Sequence, residues 1–168
     1  MNTYNVKIIK VIDGDTVDVD IELGFGIVLQ NERIRIMEID TPESRTSDQV
    51  EKLFGIASKK RLKELLGDRS ILKTHSDKDT NNVLRGKFGR VLGDFVCDNG
   101  ECVTDILIKE GYAVKYTGGN KQDIMDEHAK NRQKLLDCGK VSKEQYDQLI
   151  ANFTPSEKKN DTKIISDN

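Results

Sequence analysis

The clearest pattern in this chain is a strict alternation of apolar and polar positions over residues 16–23. Successive side chains of a strand point to opposite sides, so a period of two predicts a β-strand with one buried face. The apolar members are Val17, Val19, Ile21 and Leu23. The acids between them, Asp18, Asp20 and Glu22, are interpreted as a solvated strand face rather than as a metal site.

Shorter apolar runs, separated by turn residues, predict the other strands. They cover residues 6–12, 27–29, 33–39, 70–76 and 88–96. Asp13-Gly14 is expected to turn the chain between the first two strands, and Asp98-Asn99-Gly100 to close a hairpin after the last one.

Apolar residues recur at helical spacing from residue 47 onward. The predicted helices cover about 47–66, 103–110, 121–136 and 142–153. Gly67 and Gly111 are expected to end the first two, and Ser142 with Gln145 has the spacing of a capping box. We therefore predict one domain over residues 1–154, followed by a polar, disordered tail over residues 155–168.

Composition narrows the classes of function. Charged residues make up 33% of the chain, and the formal net charge is −2. Proteins that bind nucleic acid by bulk electrostatics normally carry a basic face, so this charge favours an enzyme that holds a cation beside local arginines. The N-terminal residues lack an apolar run of about 7 to 15 residues, so neither a signal peptide nor a membrane span is predicted, and a cytoplasmic location is expected. The odd count of three cysteines, without zinc spacing, suits a reducing compartment.

The residue types around Asp40-Thr41-Pro42-Glu43 point to phosphodiester chemistry. Asp15 and Asp40, with a nearby backbone carbonyl, would give Ca²⁺ or Mg²⁺ part of its oxygen shell, and water and a substrate phosphate would complete the about 6 to 8 oxygens that Ca²⁺ takes. Glu43 is a candidate for orienting or deprotonating the attacking water, and Arg35 for donating paired hydrogen bonds to phosphate. Arg35 and Asp40 are an odd number of positions apart, so in one regular strand their side chains would point to opposite faces. Placing both in one site, despite this difference in parity, requires a bend or bulge between them.

A second basic segment, residues 85–93, supplies Arg90 as a second phosphate-binding arginine. Its glycines keep the backbone slim, so the ring of Phe88 is placed to lie against a sugar or base. Lys87 is interpreted as a phosphate contact, with an exposed turn cation as the alternative. Arg33 is interpreted as an exposed strand residue rather than a third phosphate-binding arginine.

Three polar residues carry no motif of their own. Asp13 either forms the turn that precedes Asp15 or supports the metal ligands through its carboxylate without binding the ion. His75 and His128 are candidates for a general acid, but no partner motif accompanies either one, so both are interpreted as structural.

The order of these segments resembles the staphylococcal (micrococcal, thermonuclease) nuclease homologues. The matching segments are residues 11–17, 35–43, 87–90 and 111–113, within a span of about residues 5–137. The resemblance implies an α+β fold, a five-stranded OB-fold β-barrel with three to four α-helices. It also implies a Ca²⁺-dependent phosphodiesterase that cuts DNA or RNA and leaves 3′-phosphates.

Carried over residue by residue, the resemblance assigns roles to the residues of the matching segments. It implies Asp15 and Asp40 as Ca²⁺ ligands with the Thr41 carbonyl, Glu43 as the water-activating base, and Arg35 with Arg90 as the phosphate-binding pair. Phe88 departs from the family, which usually has a tyrosine there, so a phenolic hydrogen bond to phosphate is missing. The family's later run of tyrosines is reduced to Tyr112 and Tyr116, of which Tyr116 is predicted to stack on a base.

The expected function is therefore that of a Ca²⁺-dependent nuclease acting on single-stranded or frayed DNA or RNA; the sequence does not define its oligomeric state, and a monomer is taken as the default. A non-catalytic OB-fold module that binds single strands or a protein partner is the main alternative, although such modules typically lose the acids or arginines that this chain keeps. A secreted scavenging nuclease is a weaker one. Taken alone, residues 40–43 are equally compatible with a turn that leads into a helix and places acids near its positive end.

Overall fold

Within the part of the chain that the structure describes, five strands close into a barrel and four helices accompany it. The computed structural model describes residues 1–80 and 82–153, so the predicted tail over residues 155–168 lies outside the described residues. The strands are Asn2–Asp13 (β1), Thr16–Gly24 (β2), Ile27–Ile36 (β3), Ile39–Asp40 (β4), Arg69–Thr74 (β5), Val91–Val96 (β6) and Val114–Lys115 (β7). The helices are Gln49–Leu66 (α1), Val103–Glu110 (α2), Lys121–Asp137 (α3) and Lys143–Phe153 (α4).

The barrel has the strand order β1-β2-β3-β6-β5, and β5 pairs back onto β1 to close it. All neighbouring strands are antiparallel except β3 and β6, which run parallel. Side chains that point inward fill the barrel, and Val6, Val17, Val19, Ile34 and Leu72 have no exposed surface. The predicted α+β class and five-stranded OB-type barrel are confirmed.

Local sequence signals set the ends of the helices. The carboxylate of Asp48 accepts hydrogen bonds from the backbone N–H groups of Val50 and Glu51, which satisfies two free donors at the start of α1. The predicted cap at α4 also forms, because Gln145 N–H donates to Ser142 Oγ at 3.3 Å. The ring of Tyr146 in α4 packs edge-on against the ring of Phe54 in α1.

The boundaries of two predicted strands were wrong. Residues 33–39 do not form one strand: β3 ends at Ile36, the chain turns at Met37 and Glu38, and β4 follows. Glu38 has φ of +61°, a left-handed conformation that stops the ladder. Similarly, the strand predicted over 88–96 begins only at Val91, because residues 87–89 form a turn.

The interpretation of Asp18 as a solvated residue was also wrong. Asp18 is only 8% exposed and lies directly opposite Arg33 in the ladder between β2 and β3. Arg33 donates two hydrogen bonds to its carboxylate, at 2.7 and 2.9 Å. The paired charges explain how an acid is tolerated at low exposure.

Two further features bear on the expectations from the sequence. Among the residues that the structure describes, none of the helices combines the length and apolar content that bilayer crossing requires. Cys97, Cys102 and Cys138 are free.

Candidate active site

A charged pocket of about 380 Å³ opens where the ends of β1, β3 and β4 approach the loop before β6. Its polar and aromatic lining consists of Asp13, Asp15, Thr16, Arg33, Arg35, Asp40, Glu43, Arg45, Phe88 and Arg90. The acids and arginines that the sequence singled out therefore meet at one place, although they are up to 77 positions apart between Asp13 and Arg90.

Arg35 is fixed at the pocket by the turn that follows its own strand. Its guanidinium donates to the carbonyl of Ile36 at 2.7 Å and to that of Ile39 at 3.0 Å. A third contact reaches Asp15, with Nη2 3.2 Å from Oδ2. The turn at residues 37–38 is the bend that the difference in parity required, since it brings Arg35 and Asp40 to the same pocket.

Asp15 lies in the tight turn between β1 and β2. Its carboxylate accepts hydrogen bonds from Thr16 Oγ1 at 2.8 Å and from Thr41 Oγ1 at 3.1 Å. Its carbonyl accepts from Ile36 N–H at 2.8 Å, which ties the turn to the end of β3. Gly14 permits this packing, because a Cβ there would lie 2.8 Å from Ser58 Cβ and 3.1 Å from Thr41 Cβ.

The segment that carries Glu43 is pressed against α1. Gly55 faces it, and a Cβ on Gly55 would lie 2.3 Å from the Glu43 carbonyl oxygen, so only glycine allows this approach. Asp13 holds the next two residues: its carboxylate accepts from Ser44 N–H at 3.2 Å and from Ser44 Oγ, and it lies 3.8 Å from an Arg45 nitrogen. Asp13 therefore positions the loop beside Glu43.

The carboxyl of Glu43 has a raised pKa. Partial desolvation is the largest cause, followed by the charges of Asp13, Asp15, Glu51 and Asp40. A carboxyl whose pKa is raised by neighbouring acids is suited to accepting a proton, and it also indicates a concentration of negative charge that a cation would relieve.

Arg90 brings an unsatisfied donor to this pocket. Its Nε is buried without a hydrogen-bond partner, and no ion pair involves it among the described residues. The guanidinium lies 5.4 Å from the centre of the Phe88 ring, in a cation–π contact, while the ring itself is 82% exposed. Arg90 is thus held in place and still free to bind an anion.

Lys87 and Tyr116 are the predicted substrate contacts that do not line the pocket. Lys87 is exposed in the turn before Arg90. Tyr116 lines a neighbouring cavity of about 670 Å³, which meets the pocket at Asp40. Tyr116 is 44% exposed, and its backbone N–H donates to the Glu38 carbonyl at 2.8 Å.

Three residues at or next to the pocket were not predicted to act there. Arg33 and Arg45 line it, and His128 reaches Asp40 from α3, with Nε2 2.7 Å from Oδ2. No motif surrounds these residues, and the His128 contact joins positions 88 residues apart. Only the three-dimensional fold reveals it.

The donor set fits a hard divalent cation. Asp15 and Asp40 offer carboxylate oxygens on one pocket, and Thr41 lies against Asp15. Within residues 1–80 and 82–153, no group of three or more His, Cys, Asp or Glu side chains is arranged as a metal centre. A Ca²⁺ ion there would therefore take most of its oxygens from backbone, water and a bound phosphate.

The barrel and its pocket of acids and arginines define an OB-type α+β protein with a polar site at one end of the barrel. Residues 33–149, more than half of the chain, match the family described as Staphylococcal nuclease homologue. The chain belongs to this family.

Several curated relatives carry endonuclease names. Endonuclease YncB of Bacillus subtilis (strain 168) is 34% identical over 109 residues, covering 65% of this chain and 46% of that protein. The SPbeta prophage-derived endonuclease YokF of the same organism is 32% identical over 130 residues, covering 77% of this chain and 40% of that protein. Endonuclease YhcR, also from that strain, is 29% identical over 120 residues, covering 67% of this chain and 9% of that protein. The chain spans less than half the length of each of these relatives.

Proposed function

We propose that this protein is a Ca²⁺-dependent nuclease that hydrolyses phosphodiester bonds of single-stranded or frayed DNA or RNA and leaves 3′-phosphate ends. The convergence of opposite charges in one pocket supports the proposal most strongly: Arg35, Arg90, Asp15, Asp40 and Glu43 all line it. Membership of the family and the endonuclease names of the relatives agree with it.

Asp15 and Asp40, with Thr41, are proposed to hold Ca²⁺. When bound, the ion supplies charge that neutralises the phosphate oxygens and favours attack at phosphorus. Two carboxylates supply only part of the about 6 to 8 oxygens that Ca²⁺ takes, so water would complete the shell in the free protein and a substrate phosphate would replace part of that water when nucleic acid binds.

Glu43 is proposed to orient the attacking water and accept its proton. A carboxylate held within hydrogen-bond reach of water can accept its proton, and partial desolvation raises the pKa of Glu43 in the metal-free protein. The loop that carries it is held by Gly55 on one side and Asp13 on the other, so the carboxylate is presented at a defined place.

Arg35 and Arg90 are proposed to bind the phosphoryl oxygens as negative charge builds up on them. Planar guanidinium groups donate paired hydrogen bonds to phosphate and stay charged at all working pH values. Arg35 is prepositioned by two backbone carbonyls, whereas Arg90 keeps a donor without a partner. Fixed donors of this kind lower the barrier because no reorganisation is needed during reaction.

The exposed ring of Phe88 and the partly exposed ring of Tyr116 flank the pocket and are proposed to stack on bases. Stacking requires unpaired bases, which is why single-stranded or frayed substrates are expected. Lys87, next to Phe88 in an exposed turn, is proposed to contact the strand's phosphates.

The experiment that tests this function incubates the whole chain with end-labelled denatured DNA or single-stranded RNA, in Ca²⁺ or in excess chelator. The proposal predicts cleavage only with Ca²⁺. It also predicts that the products end in a 3′-phosphate, so a second label cannot be added to their 3′ ends until a 3′-phosphatase has exposed the 3′-hydroxyl. Binding without cleavage in both conditions would instead identify a non-catalytic OB-fold module.

A further inference from the structure

The side chain of His128, in α3, contacts the carboxylate of the proposed metal ligand Asp40. Its Nε2 lies 2.7 Å from Oδ2 of Asp40, and its side chain is only 16% exposed. An ionised carboxylate can only accept, so Nε2 carries the hydrogen in this contact. Among the described residues, the other oxygen of Asp40, Oδ1, has no hydrogen-bond partner.

The helix that carries His128 is firmly attached to the rest of the protein. His128, Asn131 and Leu135 are spaced three and four residues apart, so they lie on one face of α3. Leu135 is buried in the core, and Asn131 Nδ2 donates to the Ala113 carbonyl at 3.1 Å. Arg132, on the same side, lies 5.4 Å from the ring centre of Phe54. The imidazole therefore sits at a fixed place.

The same anchor reaches Asp40 through the backbone. Ala113, which accepts from Asn131, is followed by Val114 in β7, and Val114 pairs with Asp40 in the short β4–β7 sheet. The β4–β7 pairing thus holds Asp40, and the packed face of α3 holds His128, so the two residues stay at a fixed separation. This geometry holds one oxygen of a carboxylate whose side chain is 42% exposed.

We propose that His128 is a positioning residue that holds Oδ2 of Asp40 and so directs Oδ1 toward the cation. The inference rests on the proposed function, because it assigns His128 a role in that site. Hydrogen bonds to the ligands of a metal orient them, and their loss typically weakens metal affinity by about 10- to 100-fold. The cavity beside α3 contains His128 and shares Asp40 with the active-site pocket, so the contact approaches the carboxylate from outside that pocket.

Calorimetric titration of the whole chain with CaCl₂, without nucleic acid, measures this role apart from catalysis. His128→Leu and His128→Ala both remove the donor, so the result does not depend on whether one of them folds. His128→Gln keeps an N–H donor on a side chain of similar length. Gln133→Leu makes a matched polar-to-apolar change on the exposed part of α3, away from Asp40. Circular dichroism melting curves verify that each variant is folded.

We expect His128→Leu and His128→Ala to weaken Ca²⁺ binding about 10- to 100-fold. We expect His128→Gln to recover most of the affinity and Gln133→Leu to match the wild type. If the wild type binds Ca²⁺ and the donor-free variants bind it within twofold, the inference is overturned and the proposed function stands. Failure of His128→Gln to bind better than His128→Leu overturns it too. If the wild type binds no Ca²⁺, the metal site of the proposed function fails, and the inference with it.

Discussion

Replacing Gly55 by alanine is expected to reduce nuclease activity without unfolding the protein. Gly55 lies within α1, where alanine would normally stabilise the helix by about 0.5–1 kcal/mol. Here the added Cβ would meet the backbone of the loop that carries Glu43, at 2.3 Å from its carbonyl oxygen, 2.4 Å from its carbonyl carbon and 2.6 Å from Ser44 N. The helix and the loop cannot both keep their positions.

The size of the effect follows from these distances. Ordinary van der Waals contact begins near 3.4 Å, so the Glu43 backbone must retreat by the difference, 3.4 − 2.3 = 1.1 Å. The loop yields more easily than the helix, because residues 41–48 lie outside the helices and strands. A misplacement of about 1 Å in a reacting group costs about 10²-fold in rate, and we expect a loss of that order in kcat.

The measurement compares kcat on denatured DNA in Ca²⁺ with the thermal unfolding midpoint. Gly119→Ala is the matched control, because no atom lies within 4 Å of the added Cβ and its φ is not positive. We expect this control to retain wild-type activity. A folded Gly55→Ala protein with wild-type kcat would show that the position of Glu43 does not limit catalysis, which would refute the reasoning.

Other substitutions separate catalysis from stability. Arg90→Lys should lower the cleavage rate by about 10²- to 10³-fold, because it removes a fixed guanidinium that can donate two parallel hydrogen bonds. A rate within threefold of the wild type in a quenched time course would rule this role out. Without metal, Glu43→Gln should raise the melting temperature at pH 7 but not at pH 3. The pKa of Glu43 is higher in the folded than in the unfolded protein, so ionisation of this carboxyl lowers the stability of the fold as pH rises through the usual carboxyl range. Equal shifts of the melting temperature at both pH values would contradict this. Glu110→Gln should cost less than about 1 kcal/mol at pH 7 in urea unfolding, because its partner Arg61 is partly exposed. That loss should fade as pH falls through the lowered pKa of Glu110, since the stability from an acid with a depressed pKa is present only above it. A loss that persists at pH 2 would point to packing instead.

Much of the fold follows from patterns within a few residues of one another. The alternation at Val17, Val19 and Ile21 gave β2 correctly, and the cap at Ser142 marked the start of α4. The end of β3 was not predictable in this way, because Glu38 adopts a left-handed conformation. Glycine or asparagine at this position would have indicated such a turn, whereas glutamate does not.

The site shows the same division. The acids and arginines could be recognised because their residue types and their order along the chain can be read directly from the sequence. The structure brings them to one pocket. Their supports depend on register and on distant contacts. Arg33 faces Asp18 only because of the pairing of β2 with β3, and His128 meets Asp40 across 88 residues. From the sequence alone, Gly55 is a glycine that weakens a helix. The structure shows that its missing Cβ makes room for the loop that carries Glu43.

The single-turnover rate of cleavage of a labelled, single-stranded oligonucleotide by wild type and Glu43→Gln tests the central claim most directly. With enzyme in excess and Ca²⁺ present, the account predicts measurable cleavage by the wild type. It predicts a rate lower by about 10²- to 10⁴-fold for Glu43→Gln, the usual contribution of a positioned base, with strand binding retained. Equal rates for the two proteins would contradict the claim that this pocket performs the chemistry.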